Sequence, residues 1–197
     1  MSKGNSIRNI SQLTKKEVAR AIGPSALRRA RIAFERIKKE TMSEFNSHPV
    51  TREIEAGARA TNISGTLGGK GNLFSFIGFD SGADPIGPLR NLILKSYVRL
   101  SPPVSGVAYF DFFLPDIEEV YMNTPMPWAK GRSWARGIEG GMSGLGQYTY
   151  VGKGIDKSRS GTAVQSEGNV GRSKYRPVPY MSRIIVNARQ KVERLII

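Results

Sequence analysis

Apolar residues recur at steps of three and four along residues 27–45, which is the spacing of one side of an α-helix. The stripe consists of Leu27, Ala30, Phe34, Ile37, Thr41 and Phe45. We therefore predict an amphipathic helix that ends at Pro49. A capping-box spacing that begins at Thr14 predicts a separate, shorter helix through Ala21, because Gly23 and Pro24 interrupt the pattern.

Alternating apolar and polar residues predict strands in the middle of the chain. Residues 72–79 fit a strand with Phe74 and Phe76 on one side. Residues 92–100 and 107–114 fit the two strands of an antiparallel hairpin, joined by a proline-containing connection. One side of this hairpin consists of Leu92, Leu94, Val98 and Leu100, matched by Ala108, Phe110, Phe112 and Leu114.

Two further helices are predicted after the hairpin. An Asp-x-x-Glu spacing at residues 116–119 opens a short helix. The apolar face of a C-terminal helix consists of Met181, Ile184, Ile185, Ala188, Val192 and Leu195. These elements predict an α+β fold, in which an antiparallel sheet is packed by an N-terminal and a C-terminal amphipathic helix. We expect residues 1–13 to be a flexible arm, residues 14–197 a single domain with long loops, and residues 151–176 an extended basic loop.

Residues 124–150 contain both tryptophans, together with prolines that restrict the backbone and glycines that free it. Within this stretch an extended segment is predicted, with Trp134, Arg136 and Ile138 on one side. Two interpretations are open: the tryptophans are core anchors, because aromatic side chains bury large areas, or the segment contacts another subunit. The candidate assembly interface is Trp128, Arg132, Trp134, Arg136, Ile138, Tyr148 and Tyr150.

The net charge of +14 is concentrated at the two ends of the chain. Residues 1–52 contribute +8, residues 53–150 contribute −1 and residues 151–197 contribute +7. Basic ends of this kind usually bind nucleic acid or acidic protein surfaces, although they can also be simply solvated. The candidate basic contact face is Arg28, Arg29, Arg31, Arg36, Lys38 and Lys39 on the first long helix, with Lys153, Lys157, Arg159, Arg172, Lys174 and Arg176 in the basic loop.

The residues that could carry chemistry form no convincing active site. The chain has no cysteine and one histidine, which excludes cysteine chemistry and histidine-rich metal sites. His48 is expected to cap the end of the first long helix near its dipole, and Asp111, between aromatic residues, is expected to be a satisfied structural group. A glycine-rich segment fails as a phosphate-binding loop, because Ser64 and Gly71 stand where that motif has Gly and Ser or Thr. We therefore expect no enzymatic activity, no catalytic residues, no cofactor and no metal.

The N-terminus is polar and lacks the apolar core of a signal peptide. No apolar run approaches the roughly 20 residues that a membrane span requires. We therefore expect a soluble protein that is made in the cytoplasm and has no membrane partner.

Several segments carry a family resemblance when they are taken together. They are FNSHPVTREI at residues 45–54, GTL at 65–67 with GNLFSFIGF at 71–79, SWARGIEGG at 133–141, and RPVPY at 176–180 before the last helix. In this order, and with a long amphipathic helix in front, they resemble the tail-completion or neck (head–tail connector) proteins of long-tailed bacteriophages. The chain departs from the compact members of that family by additional loops at residues 80–90 and 151–176.

The resemblance implies an α+β subunit of the virion that assembles as a ring, expected to contain six copies, at the junction of head and tail. It brings no catalytic residues. The implied partners are copies of the chain itself, neighbouring connector, portal-side or tail-tube proteins, and the packaged DNA end. The alternative function is nucleic-acid binding through the basic residues 28–39 and the basic loop. Single-strand binders interleave aromatic with basic residues, whereas here the aromatic residues cluster in the neutral middle, which favours the structural role.

Overall fold

The computed structural model describes residues 7–11, 16–69, 71–104, 107–127, 129–141 and 175–195. In chain order the elements are β1 (Ile7–Ser11), α1 (Lys16–Ser47), α2 (Pro49–Glu55), a 3₁₀ turn (Gly57–Arg59), α3 (Leu73–Ile77), α4 (Gly87–Leu94), β2 (Tyr97–Val104), β3 (Val107–Phe113), α5 (Ile117–Met122), β4 (Pro125–Met126), β5 (Ala129–Ser133), α6 (Trp134–Glu139) and α7 (Met181–Glu193). The mixture of helices with two small antiparallel sheets confirms the α+β prediction. Most of the predicted basic loop, residues 151–174, lies outside the described residues.

The chain divides into two compact units, where the sequence predicts a single domain from residue 14 to residue 197. Unit 1 comprises residues 1–44, 91–116 and 183–197, and unit 2 comprises residues 45–90 and 117–182. Helices α1, α4 and α7 contribute residues to both units.

The core of unit 1 forms where α1 packs against the antiparallel hairpin of β2 and β3. Its buried members are Ala26, Ala30, Phe34, Ile37, Val98, Phe110, Phe112 and Val192. The rings of Phe34 and Phe112 lie 5.4 Å apart, a distance at which tilted aromatic pairs attract each other. Ala30, Phe34 and Ile37 of the predicted stripe, and the hairpin residues at 98, 110 and 112, are therefore core residues of unit 1.

The sheet of unit 1 has the strand order β1-β3-β2, and both pairs are antiparallel. The hairpin prediction is confirmed, with Val98 opposite Phe112 and Leu100 opposite Phe110. Residues 7–11 of the predicted flexible arm instead form β1, which pairs with β3 from Ile7 opposite Phe112. The predicted strand at residues 92–100 is also wrong in its first part, because α4 continues to Leu94 and β2 begins at Tyr97.

Helix α1 is continuous, whereas the sequence predicts a break at Gly23 and Pro24. A proline inside a helix loses a backbone hydrogen bond and crowds the preceding turn. Burial of Ala26, Ala30 and Phe34 just after it offsets this cost. Gly23 is buried, and a Cβ at this position would stand 3.3 Å from Leu100 Cδ2, so the small residue allows the helix to approach β2 closely.

The core of unit 2 is built around Trp134 and Tyr180, both fully buried. The Trp134 ring lies 5.9 Å from that of Phe79 and 6.4 Å from that of Tyr180. Tyr180 also lies 6.2 Å from Phe45, and its hydroxyl is 2.8 Å from Thr51 Oγ1. The segment from Trp134 to Ile138 is helical, so the prediction of an extended strand there is wrong.

Residues 72–79 were also predicted to be a strand, and they contain helix α3 instead. The Asn72 side chain caps the helix by accepting a hydrogen bond from the Ser75 backbone N–H at 2.9 Å. Gly78 ends it in the left-handed conformation, with φ of 86°, which glycine adopts without steric cost. The Ser133 side chain caps α6 in the same way, by accepting from the Arg136 N–H at 3.1 Å.

His48 caps the beginning of α2, whereas the sequence predicts a capping role at the end of α1. Its Nδ1 accepts a hydrogen bond from the Val50 N–H at 3.3 Å, and Pro49 occupies the first position of α2. The imidazole also packs 4.8 Å from the ring of Tyr180. The side chain therefore has a structural role in unit 2.

Glu53 organises the glycine-rich loop that connects α2 with α3. It is fully buried, and its carboxylate accepts hydrogen bonds from the Leu73 N–H at 2.7 Å, the Ser64 N–H at 2.6 Å and Asn62 Nδ2 at 2.9 Å. Asn62 Oδ1 in turn accepts from the Leu67 N–H at 3.0 Å. One carboxylate thus satisfies backbone donors in the middle of the loop and at its end, which is how a loop with few apolar residues can be ordered.

Replacing Glu53 by Gln should lower the free energy of unfolding by about 2–4 kcal/mol, because the buried amide cannot accept all of these hydrogen bonds and leaves donors unpaired. Glu55→Gln on the same helix is the matched control, since it affects only a partly exposed pair with Arg90 at 2.8 Å. The control should cost less than about 1 kcal/mol in urea unfolding. Equal losses in the two variants would contradict the role assigned to Glu53.

Candidate functional site

Two surface depressions of the described residues lie one in each unit. The first, which we call the basic groove, lies between α1 and α7 in unit 1 and has a volume of about 580 Å³. It is lined by Arg29, Ile32, Ala33, Arg36, Ile37, Glu40, Lys191, Arg194 and Leu195. The second, the α5–α6 groove, lies in unit 2 and has a volume of about 600 Å³.

The basic groove combines an apolar floor with a rim of cations. Ile32 is 64% exposed, although it lies on the helix whose opposite side forms the core of unit 1. The one carboxylate of the lining, Glu40, forms ion pairs with Arg36 at 3.5 Å and with Lys191 at 3.1 Å. With its negative charge shared between these two cations, the lining keeps a net positive charge. Such a groove suits a ligand or partner with both apolar and acidic groups.

The α5–α6 groove is lined by both charged and apolar side chains. Arg132 and Arg136 are exposed, and the Arg136 guanidinium lies 5.0 Å from the ring centre of Tyr121. It also lies 3.8 Å from Glu118, with both side chains about two-thirds exposed. Met122, also on α5, is 69% exposed. This groove therefore has an exposed apolar side chain, Met122, next to a weak surface ion pair between Glu118 and Arg136.

The structure divides the predicted assembly interface into buried and exposed residues. Trp134 and Ile138 are 1% and 0% exposed, so they are core residues of unit 2 and not available contact residues. This agrees with the core-anchor interpretation of Trp134. Arg132 and Arg136 remain on the surface. Trp128, Tyr148 and Tyr150 lie outside the described residues.

The predicted basic face of α1 is exposed with one exception. Arg28, Arg29, Arg31, Arg36 and Lys39 are exposed. Lys38 is half-buried: its ammonium pairs with Glu35 at 2.6 Å and donates to the Ser96 carbonyl at 3.3 Å, so it holds α1 to the start of β2.

In the basic loop, Arg176 is exposed. The other candidates, Lys153, Lys157, Arg159, Arg172 and Lys174, lie outside the described residues.

Asp111 is tied into the hairpin of unit 1. Its carboxylate is buried, accepts a hydrogen bond from the Ser101 hydroxyl and lies 3.5 Å from the guanidinium of Arg99, the residue opposite it on β2. The carboxylate therefore has structural partners on the neighbouring strand β2. Arg99 also lies over the ring of Phe113, at 4.8 Å from its centre.

Glu139 joins α5, α6 and the start of α7 within unit 2. Its carboxylate accepts hydrogen bonds from the Tyr121 hydroxyl and from the Ser182 N–H, both at 2.8 Å. Burial, followed by the hydrogen bond to Glu139, raises the pKa of Tyr121 from 10.0 to about 12. Burial likewise raises the pKa of Tyr180 well above its usual range. Both phenols are thereby held neutral as structural hydrogen-bonding groups.

Within the described ranges, no group of three or more His, Asp or Glu side chains is arranged to hold a metal ion. Among the helices that the structure describes, none has both the length and the apolar character needed to cross a membrane.

The sequence interpretation missed Ile32, Lys191 and Arg194 as neighbours in one groove, and Met122 as an exposed apolar residue. A signal for Ile32 was present, because it lies three residues after Arg29 and four before Arg36, outside the apolar stripe of α1. The sequence gives no such signal for Lys191 and Arg194, because their place in the groove depends on how α7 packs against α1, a helix far away in the chain.

Comparison of the chain with protein-family models, with curated proteins and with solved structures finds no match. The resemblance to phage tail-completion and neck proteins, which rests on the sequence segments given above, therefore stays a prediction.

The raised pKa of Tyr121 gives a test in alkaline solution. The folded protein keeps this phenol protonated up to a higher pH than the unfolded chain does. Its contribution to the free energy of unfolding is therefore complete below pH 10 and is lost as the pH rises from 10 to about 12. In urea unfolding, the stability advantage of the native protein over Tyr121→Phe should shrink across this window. An advantage that stays constant from pH 9 to 12 would contradict this account.

Proposed function

We propose that this chain is a structural virion protein of a tailed bacteriophage and that it assembles with copies of itself into a ring at the head–tail junction. The observation that carries self-assembly is the basic groove, where Ile32 is exposed between Arg29 and Arg36. The apolar lining around it also includes Ala33, Ile37 and Leu195. Contiguous apolar surface that is rimmed by polar groups is typical of protein contact sites. The location at the head–tail junction rests on the sequence resemblance.

Other exposed side chains support an assembly role. Tyr97 is 50% exposed and stacks on Phe113 with 4.5 Å between ring centres, and the Arg99 guanidinium lies over the same Phe113 ring. Aromatic residues, methionine and arginine are enriched in protein interfaces relative to the remaining surface. Exposed Leu94 and Met122 add further apolar area, so that both units offer surfaces to neighbours.

The carboxylates with the most hydrogen bonds have structural partners. Glu53 binds backbone N–H groups of its loop, Asp111 is held by Ser101, and Glu139 holds Tyr121. A subunit whose acidic side chains fix its own loops and helices suits a role based on shape and contacts. The proposed function accordingly requires no bond-breaking step.

A second candidate function, nucleic-acid binding, is favoured by one specific observation. Arg28, Arg29, Arg31, Arg36 and Lys39 are all exposed on α1, and they could follow the phosphate groups of a duplex. In a virion this face would contact the packaged DNA end. The two functions are compatible, but their tests differ.

We expect the purified protein to form a closed oligomer, with a mass of about six times the 21.7 kDa of one chain. Size-exclusion chromatography with light scattering, over a wide range of protein concentration, measures this mass directly. Particles produced without the protein should contain heads and tails that fail to join, as seen by electron microscopy. A monomer at every concentration, together with complete and infectious particles in its absence, would contradict the proposal.

If the basic face binds DNA, the logarithm of the affinity should fall linearly with the logarithm of the salt concentration. Arg28→Ala/Arg31→Ala should then weaken binding for all sequences alike and reduce the salt slope by about 1 per lost phosphate contact. Fluorescence anisotropy with a labelled duplex measures both quantities. The absence of binding at low salt would exclude the second candidate while leaving the ring proposal unaffected.

A further inference from the structure

We propose that the basic groove of one copy binds helix α5 of a neighbouring copy, so that the subunits join head to tail. The inference rests on the self-assembly proposed above, and it names the two surfaces that meet. Each surface belongs to a different unit of the chain, unit 1 for the groove and unit 2 for the helix.

The groove defines the kind of occupant that it can bind. Arg29, Ile32 and Arg36 lie at steps of three and four on one side of α1, so an apolar side chain stands between two guanidinium groups. Arg194 adds a further cation from the C-terminal end of the chain. An occupant that complements this lining has an exposed apolar side chain with a carboxylate about one helical turn away. The apolar floor makes a phosphate backbone a poorer match.

Helix α5 has these features. Met122 is 69% exposed, more than any other large hydrophobic residue that the structure describes. Glu118 lies four residues before it and thus on the same side of the helix, and Glu119 adds a second carboxylate to the first turn. Residues 100–129 contain four acidic residues and no Lys or Arg, which is the strongest local excess of negative charge in this basic chain.

The present contacts of α5 allow such an exchange. Glu118 lies 3.8 Å from Arg136, and both side chains are about two-thirds exposed, so the pair is worth little and can be replaced at small cost. The other cluster of acids, Asp80 and Asp84, is less suited to docking. Asp84 accepts hydrogen bonds from the N–H groups of Ile86 and Gly87, and it would lose this capping role.

The test exchanges charges between the two surfaces. The groove variant is Arg29→Glu/Arg194→Glu, which spares Arg36 and Lys191 because both already pair with Glu40. The helix variant is Glu118→Lys/Glu119→Lys. Each alone should raise the concentration for half-assembly by at least about tenfold, since like charges then face each other. An equimolar mixture should restore assembly, because every contact in an alternating oligomer again joins opposite charges.

The matched control is Arg28→Glu/Arg31→Glu, which makes the same charge change on α1 outside the groove and should keep assembly within about threefold of the native protein. Circular dichroism and thermal unfolding of each variant confirm that it is folded, and the mixing result itself requires folded proteins. Light scattering at several salt concentrations gives the degree of assembly.

The outcomes separate this inference from the proposed function. If the groove variant and the helix variant each still form the same oligomer as the native protein, the docking of α5 is overturned, but self-assembly is not. Loss of assembly in the groove variant without rescue by the helix variant would show that the groove binds another occupant, and would also overturn it. Assembly of the native protein that requires added DNA, and that the groove variant abolishes, would assign the groove to nucleic acid and overturn the docking of α5. A native protein that stays monomeric would contradict the inference and the proposed ring together.

Discussion

The burial of one side of α1 is the interaction on which the rest of the described structure depends. In unit 1 Phe34 packs on Phe112 at 5.4 Å, and in unit 2 Phe45 lies 6.2 Å from Tyr180, so the same stripe supplies anchors to both cores. Tertiary packing has to supply much of the stability of this helix, because an internal Pro24 would weaken it in isolation. The continuity of α1 through that proline therefore shows how strongly the stripe is held.

The same constraint determines what α1 can present to other molecules. With a period of 3.6 residues, fixing Phe34 inward leaves Arg29, Ile32 and Arg36 outward. The basic face could therefore be predicted from the sequence, because it needs only the helical period and the position of the core. The exception, Lys38, could not be predicted in this way, because its partner in Ser96 is brought close by the tertiary fold.

The apolar stripes of the long helices α1 and α7 and the short helix α5 were predicted correctly, whereas the short helices α3 and α6 were predicted as strands. The stripes of α1 and α7 extend over several turns, but α3 and α6 have five and six residues, too few to separate a period of 2 from one of 3.6. At these positions the capping side chains Asn72 and Ser133 mark the starts of the helices.

Strand β1 was missed for another reason: it is stabilised by pairing with β3, about 100 residues later in the chain. Glu53 was overlooked because its partners belong to a loop that its own side chain orders.

The uneven charge of the chain limits the ways in which copies of it can associate. A two-fold contact places the same patch on both sides, so a contact centred on the basic face of α1 would set Arg29 and Arg36 against their own copies. A head-to-tail contact brings together two different patches, and these can carry opposite charge. Contacts of that kind form rings when the rotation between subunits closes, and open filaments when it does not. A chain of net charge +14 that carries four acidic residues and no Lys or Arg over residues 100–129 therefore favours the contact geometry that the proposed ring requires.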